Sequence, residues 1–180
     1  MSEIVYKVVE ANEIFNDFLR LFNRHQTTEQ IAFVDGFLIK HKKLRFEEEW
    51  DESKLESVSN YLKEISLKGG KVITAFHNDV VIGFANIDPN LFFNCYLNVP
   101  YIHVSYEYRG KGIGKKLFNM LCEEAVKLGA KKLYISGHPA KETQVFYKKT
   151  GCVLAKKINQ KLYDIEPGDI QLEKDLSDYL

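Results

Sequence analysis

Residues Tyr101–Leu128 read YIHVSYEYRGKGIGKKLFNMLCEEAVKL. The β-branched and aromatic start of this segment is typical of a strand. Apolar residues then recur from Ile113 to Leu128 at the spacing of one helical face, and Gly129 follows where a helix is expected to stop. The segment therefore predicts a strand, a glycine-rich turn and a long helix, and the rest of the chain is organised around this unit.

The glycine-rich turn favours a phosphate-binding site. Gly110, Gly112 and Gly114 alternate with Lys111 and Ile113, and glycines let the backbone take positive φ angles and approach a ligand closely. The first N–H groups of the following helix have no partner inside the helix, and the helix dipole adds positive potential there. Helix starts of this kind bind phosphate, so the turn is predicted to cradle a pyrophosphate.

The spacing of the glycines excludes two other phosphate loops. A Walker loop needs Ser or Thr after its Gly-Lys pair, whereas Lys116 follows Gly114-Lys115. A Rossmann loop has two residues between its last two glycines, whereas one residue separates Gly112 from Gly114. A tight turn that only joins the strand to the helix would also account for the pattern.

Two blocks of the sequence resemble a known family. Arg109–Gly114 resembles the Arg/Gln-x-x-Gly-x-Gly/Ala signature of the GNAT family of N-acetyltransferases. Phe146–Cys152 is similar to the Phe-Tyr-x-Lys-x-Gly-Phe segment of the same family. The combination is more specific than either block alone.

The resemblance implies an α/β fold with a mixed, twisted central sheet flanked by helices, in which two parallel strands splay apart around the cofactor. It implies acetyl-CoA as co-substrate and no metal. Ala140 replaces an Asn that is frequent in the family, so Thr143 or Gln144 is expected to contact the cofactor arm instead. The residues implied to bind the cofactor are Ile102, His103, Val104, Arg109, Gly110, Lys111, Gly112, Ile113, Gly114, Lys115 and Thr143.

The resemblance also implies an acid catalyst. Tyr147 matches the family tyrosine that donates a proton to the departing CoA thiolate, and the pKa of a tyrosine lies near that of a thiol. A ring that only packs is the simpler interpretation of the same residue. Cys152 stands where the family often has Phe and is interpreted as a packing residue.

The general base stays open. Some family members carry a Glu on the strand before the glycine loop, where this chain has Asn98, which cannot accept a proton. His103, His138 and Glu142 are candidates, and the ordinary pKa of a histidine suits the task. A water relay, or an amine that arrives already neutral, would make a side-chain base unnecessary, and His103 is more simply interpreted as a packed residue.

Composition narrows the class of protein. Hydrophobic residues make up 45% of the 180 residues, which excludes disorder and suits one domain over residues 1–180. Lys plus Arg and Asp plus Glu both number 25, so no basic field indicates nucleic acid. No run predicts a membrane span or a secretory segment. The three cysteines lack metal spacing and fit a reduced cytosol, so a cytoplasmic protein is expected.

The N-terminal third carries weaker signals. A helix is predicted after Asn12, a short helical turn over 27–32, and a hairpin at Asp35-Gly36. A second helix is predicted to start after Asp51. Glu47–Glu49 is interpreted as solvated surface, with attraction of a cationic amine as the alternative. Four aromatic residues are interpreted as core, with an acceptor pocket as the alternative: Phe33, Phe37, Phe46 and Trp50.

The sequence thus predicts an acetyl-CoA-dependent N-acetyltransferase that moves an acetyl group to a primary amine by direct attack on the thioester. A small-molecule amine is the expected acceptor. Two further functions stay open: a non-catalytic acyl-CoA binding or sensing domain, and a protein lysine or N-terminal acetyltransferase. The resemblance adds a homodimer as an expected partner state.

Overall fold

The computed structural model of the protein describes residues 3–180. Within these residues the chain forms two four-stranded sheets and a separate two-stranded hairpin. The helices are Glu52–Leu67 (α1), Ile113–Lys127 (α2), Lys141–Lys149 (α3) and Gln160–Ile165 (α4). The strands are Val5–Val9 (β1), Gln26–Asp35 (β2), Leu38–Glu48 (β3), Lys71–His77 (β4), Val80–Ile87 (β5), Tyr96–Asn98 (β6), Ile102–Val104 (β7), Lys132–Gly137 (β8), Val153–Leu154 (β9) and Ile170–Asp175 (β10).

The two sheets separate along one stretch of chain. Strand β6 pairs in parallel with β8 in the sheet β6-β8-β10-β9, whereas β7 pairs antiparallel with β5 in the sheet β1-β4-β5-β7. Pro100 lies between β6 and β7 and has no N–H to continue the first ladder. Tyr101 then bonds to Asn86, a residue of β5, through both backbone and side chain. The chain thus changes sheets here, and the sheets diverge beyond this point.

This arrangement confirms the predicted mixed sheet and corrects one detail of it. The order of strand, helix and strand predicts that the strand starting at Tyr101 is the parallel neighbour of the Lys132 strand. The parallel partner of β8 is instead β6, which lies just before Pro100. Strand β7 is bonded to β5 alone among the described strands, so its other edge pairs with none of them.

Helix α2 covers one face of the sheets. Its apolar side is buried in a core cluster together with residues of β5 and β8, including Leu117, Ala85 and Leu133. Gly83 allows this close packing, because a Cβ atom built there would lie 2.9 Å from Leu117 Cδ1. The pairing of β4 with β5 also shifts register beside Gly83.

Helix α1 covers the opposite face of the first sheet. Asp51 caps it as predicted, by accepting a hydrogen bond from Lys54 N at 2.8 Å. Leu62 packs in a second core cluster with Phe84 of β5. The two faces of the sheet therefore carry different cores, and β7 ends between them.

Two predictions for the N-terminal third are wrong. The segment after Asn12 forms a single 3₁₀ turn over Ala11–Glu13 followed by turns, although Ile14, Leu19 and Phe22 are buried as a helical pattern would require. Residues 27–32 belong to β2 and are not helical.

The reason for the second error lies in the hairpin β2–β3. The predicted turn after Asp35 closes it, with Gly36 at φ +63°. Pairing with β3 then extends the strand back to Gln26, so the non-local pairing outweighs the local pattern. The hairpin reaches the rest of the fold through Ala32, whose N–H donates to Pro139 O at 2.7 Å. Helix α4 is a further element that no sequence signal predicted.

Candidate active site

A groove of about 730 Å³ opens where the two sheets diverge. Strand β7 and the start of α2 form one wall, and α3 forms another. Each residue predicted to touch the cofactor or to act as acid lines this groove except Lys111. Sequence reasoning missed part of the wall, including Gln26 and Thr27 of β2, because the hairpin carries no recognised motif.

The glycine-rich turn shapes the floor of the groove. Gly110 and Gly112 have φ angles of +74° and +80°, which non-glycine residues rarely adopt. Gly112 immediately precedes α2, and its carbonyl oxygen accepts from Lys116 N at 3.1 Å. The N–H groups of residues 113–115 precede this first helical bond, so they are free to donate to a ligand. The turn therefore presents a helix start with free N–H groups, a type of site that can bind anions.

Gly114 has a different role from the two glycines before it. A Cβ atom built on it would lie 3.2 Å from Phe146 Cε2 and 3.6 Å from Val104 Cγ2. Its lack of a side chain therefore lets α2 approach α3 and β7 closely. The pattern of three glycines combines two conformational requirements with one packing requirement.

Arg109 fastens the turn to the end of β7. Its Nε donates a hydrogen bond to Val104 O at 3.0 Å, and its guanidinium lies 5.5 Å from the centre of the Tyr106 ring. Burial lowers the pKa of Arg109, and the Glu107 charge opposes that shift. The arginine thus lines the groove and also holds its wall together.

Lys111 is the exception among the predicted residues. Its Nζ donates to the Glu107 carbonyl oxygen at 3.1 Å and lies 5.0 Å from the centre of the Tyr108 ring. The side chain is therefore turned back onto the preceding turn and does not line the groove. That Lys111 contacts the cofactor stays a prediction, while in the structure a local carbonyl oxygen and a ring hold its ammonium group.

Tyr147 lies on the α3 wall and is only 6% exposed. Its ring contacts Phe146 and Phe118, and its Cε2 lies 3.2 Å from the place where a Cβ on Gly137 would be. Burial raises the pKa of Tyr147, and the Asp169 charge raises it further. The phenol is therefore held in its protonated form, as a proton donor requires.

The short helix α3 is tied to the end of β8. Gln144 Nε2 donates to the carbonyl oxygens of Gly137 at 3.1 Å and His138 at 2.8 Å. Of the two residues expected to replace the family Asn, Thr143 lines the groove and Gln144 makes this tether. Cys152 is buried, and burial raises the pKa of its thiol to about 11, which fits packing.

The structure separates the candidates for the general base. His103 lines the groove, but burial lowers its pKa well below the ordinary value, and the charges of Arg24 and Arg109 act in the same direction. His138 Nδ1 accepts from Ala140 N at 3.2 Å, so the lone pair at that nitrogen is engaged. Glu142 lines the groove from the exposed first turn of α3. His103 and His138 are therefore weak proton acceptors.

The aromatic residues of the N-terminal third divide into two groups. Phe37 is 97% exposed at the hairpin turn, and Phe33 is 37% exposed, so neither is a core residue. Phe46 lies 6.0 Å from His138, and Trp50 lies 5.0 Å from His103, measured between ring centres. Trp50 therefore packs with the α1 core and beside His103, which lines the groove.

Solved structures share this fold across nearly the whole chain. Nourseothricin acetyltransferase superposes with a TM-score of 0.68 at 19% identity, covering 94% of this chain and 95% of that chain. A Bacillus anthracis protein described as a streptothricin acetyltransferase, in complex with acetyl coenzyme A, gives 0.72 at 16% identity, covering 95% and 96%. An aminoglycoside 6'-N-acetyltransferase complexed with coenzyme A gives 0.62 at 16%, covering 96% and 97%. At these identities the likeness establishes the fold alone.

Sequence comparison places the chain in a family. No curated protein matches it. The family model described as the acetyltransferase (GNAT) family matches residues 36–152. That range contains β7, the glycine-rich turn, α2 and Tyr147, which together build the groove. By this match and by its groove, the chain belongs to the GNAT family of acetyltransferases.

Proposed function

We propose that this GNAT acetyltransferase transfers the acetyl group of acetyl-CoA to a primary amine of a small molecule, within a single domain spanning residues 1–180. The observation that carries the proposal is the groove between β7 and α3, with a helix start at one end and a protonated tyrosine on its wall. The first supports a pyrophosphate, and the second supports a leaving thiolate.

Different parts of the groove suit different parts of acetyl-CoA. The free N–H groups at the start of α2 and the Lys115 ammonium suit the pyrophosphate of acetyl-CoA. Strand β7 offers backbone groups to the pantetheine arm. The thioester is then carried toward Tyr147 and the end of β8. Among residues 3–180 no group of acidic, histidine or cysteine side chains is arranged to hold a metal ion, and the proposed step uses none.

The proposed acetyl transfer needs one acid, Tyr147, to account for every proton. A neutral amine nitrogen attacks the thioester carbon, so a C–N bond forms and the C–S bond breaks with its electron pair on sulfur. Tyr147 donates its proton to the thiolate, and the acylated nitrogen returns a proton to the phenolate. The first proton of the original ammonium leaves to a base or to solvent before attack. The products are an amide and free CoA thiol.

Neighbouring solved structures support a small-molecule acceptor. Their names specify nourseothricin and aminoglycoside acetyltransferases, and they share the fold over more than nine-tenths of this chain. In this protein β2 also borders the groove, since Gln26 and Thr27 line it. None of the helices in residues 3–180 is both long and apolar enough to cross a membrane.

Two adjacent lysines allow a controlled test of cofactor binding. Lys115 lines the groove, whereas Lys116, also exposed, does not. We expect acetyl-CoA to raise the melting temperature of the wild type. We expect Lys115→Ala to weaken its binding about two- to fivefold, the worth of one exposed charge at a helix start, and Lys116→Ala to have less effect. The absence of any shift in the wild type would refute cofactor binding in the groove.

Turnover separates a small-molecule acetyltransferase from a sensing domain and from a protein acetyltransferase. Release of free CoA thiol, followed with a chromogenic disulfide, should depend on an added small amine. Cofactor binding with no release over a broad amine panel would favour the sensing domain. Release with peptides alone would favour a protein acetyltransferase.

A further inference from the structure

Three carboxylates lie near one another at the carboxyl end of β8. They are Glu48, Glu166 and Asp169, named here the carboxylate cluster. Asp169 directly precedes β10, whose pairing of Ile170 with Gly137 brings it beside His138. Asp169 Oδ2 accepts a hydrogen bond from Ser136 Oγ at 3.2 Å. The cluster therefore has one member fixed to the end of β8.

Glu48 reaches the same place from the end of β3. Its Oε2 lies 3.0 Å from His138 Nε2, and the other nitrogen of that ring accepts from Ala140 N. The histidine is thus oriented with Nε2 toward the carboxylate. Burial lowers the pKa of His138, and the Glu48 charge opposes the shift. His138 is therefore a positioning residue for Glu48.

Glu166 completes the cluster from the segment after α4. Its charge acts on Asp169, on His138 and on Tyr101 of the sheet edge. Residues 3–180 hold no arrangement of such groups suited to a metal ion. A multiply charged organic cation, which spans more space than a metal ion, fits such a set better.

The cluster lies near Tyr147, the proposed acid. Asp169 directly precedes Ile170, which pairs with Gly137, and a Cβ atom built on Gly137 would lie 3.2 Å from Tyr147 Cε2. The Asp169 charge also acts on Tyr147. An amine bound at Asp169 would therefore lie close to the proposed acid.

Arg24 is a buried cation beside the cluster with unpaired donors. The side chain is 6% exposed and lies 5.6 Å from the centre of the Trp50 ring. Its Nε and Nη1 have no hydrogen-bond partner among the described residues, although its charge acts on Glu48 and His138. A buried guanidinium without an acceptor is costly, and a ligand oxygen would supply one as the side chain adjusts.

We infer that the carboxylate cluster and Arg24 form the acceptor subsite, and that the acceptor is an amine with at least two positive charges and an oxygen close to the reacting nitrogen. The inference rests on the proposed function. Asp169 takes the first proton from the reacting ammonium and passes it to solvent, and the freed nitrogen attacks the thioester. The second proton of that nitrogen follows the route through Tyr147 to the CoA sulfur.

Trp50 provides a direct readout, since it is the single tryptophan of the chain and lies against Arg24 and His103. Its fluorescence would be titrated in the presence of free CoA, so that no transfer occurs. The probes are pentylamine, 1,5-diaminopentane and lysinamide. The second adds one ammonium group to the first, and the third adds a carboxamide next to one amine of the second.

We expect the diamine to bind at least tenfold more tightly than pentylamine, and lysinamide more tightly than the diamine. Equal binding of the two amines, or no response to any probe, would overturn the charged subsite. Equal binding of lysinamide and the diamine would overturn the role of Arg24.

Matched variants locate the binding. Glu48→Gln and Asp169→Asn should reduce the preference for the diamine over pentylamine at least fivefold each. Asp35→Asn removes a carboxylate at the turn of the same hairpin, where it pairs with Lys40, and it should leave that preference unchanged. An unchanged preference in both cluster variants would place the diamine elsewhere and contradict the inference.

Cofactor binding distinguishes failure of the subsite from failure of the proposed function. Each variant would also be tested for the rise in melting temperature with acetyl-CoA, which verifies folding and the groove together. A normal rise with no diamine preference overturns the subsite and leaves the proposed function standing. The absence of a rise in the wild type refutes the proposed function itself.

Discussion

Arg109 donates from its Nε to the carbonyl oxygen of Val104 at 3.0 Å, so the first residue of the glycine-rich turn is bonded to the last residue of β7. These two residues stand at the point where the sheets have diverged. The bond keeps the groove wall and the helix start in one rigid unit. An arginine at this position therefore serves the architecture of the groove as well as its charge.

Arg109→Lys tests this double role. A lysine keeps the charge but lacks a donor at the Nε position, so the bond to Val104 is lost. Charged hydrogen bonds are worth about 1.5–3 kcal/mol, which is roughly 3–10 °C in melting temperature for a chain of this size. We expect a drop in that range in scanning fluorimetry and weaker acetyl-CoA binding.

Arg45→Lys is the control, because Arg45 is exposed on the hairpin and its nearest carboxylate, on Glu29, lies 3.4 Å away. It should change the melting temperature by less than about 1 °C, as surface substitutions do. A wild-type melting temperature and cofactor affinity in Arg109→Lys would show that charge alone matters at this position.

Tyr147→Phe tests the acid. The variant keeps the ring that packs against Phe118 and Phe146 and removes only the hydroxyl. We expect kcat to fall roughly 10²- to 10⁴-fold, the usual contribution of general acid catalysis, while the KM for acetyl-CoA stays within about threefold, since the groove is intact. Steady-state release of CoA thiol measures both. Full turnover at saturating amine would assign the ring a packing role only.

The sequence predicts the groove well because its parts are local. Residues 101–128 contain the strand, the turn and the helix in order, and φ requirements at Gly110 and Gly112 leave a visible pattern. Tyr147 follows from a motif on the next helix. Each of these signals depends on neighbours along the chain.

The residues of the proposed acceptor subsite cannot be predicted from such local signals. Glu48 and Asp169 lie 121 positions apart in the chain, and only the pairing of β10 with β8 and the docking of the hairpin bring them to the same strand end. Arg24 lies in a turn region whose apolar pattern predicts a helix. Lys111 illustrates the opposite problem. The motif predicts that its side chain lies in the site, but its ammonium group donates to a nearby carbonyl oxygen instead.

Gly112→Ala tests whether the glycine-rich turn depends on the positive φ angle at this residue. The substitution meets no atom within 4 Å, but φ is +80° and an alanine is strained there. We expect a loss of about 1–2 kcal/mol, or roughly 2–8 °C in melting temperature, with weaker acetyl-CoA binding. Gly168→Ala is the control, since its Cβ also meets nothing and its φ is not in the left-handed range. Equal melting temperatures in both variants would contradict the conformational role.

The pH dependence of the melting temperature of Asp169→Asn tests whether the Asp169 carboxyl group is buried. Burial, with the Glu166 charge, raises the pKa of Asp169 to about 7, whereas an unfolded aspartate has a pKa of about 3.9. Between these values the folded protein binds more protons than the unfolded chain. The free energy of unfolding contributed by this group therefore falls as the pH rises through that window. Below the window the group contributes no penalty, and above it the penalty is complete.

Asparagine stays uncharged and can still accept the Ser136 hydrogen bond, so the variant avoids the penalty. We expect the melting temperature of Asp169→Asn, relative to wild type, to be higher at pH 8 than at pH 4.5. Asp164→Asn, on the exposed side of α4, should show a difference that does not change between the two pH values. A constant difference in Asp169→Asn as well would mean that its carboxyl is solvated, and the acceptor side would then lack its buried proton acceptor.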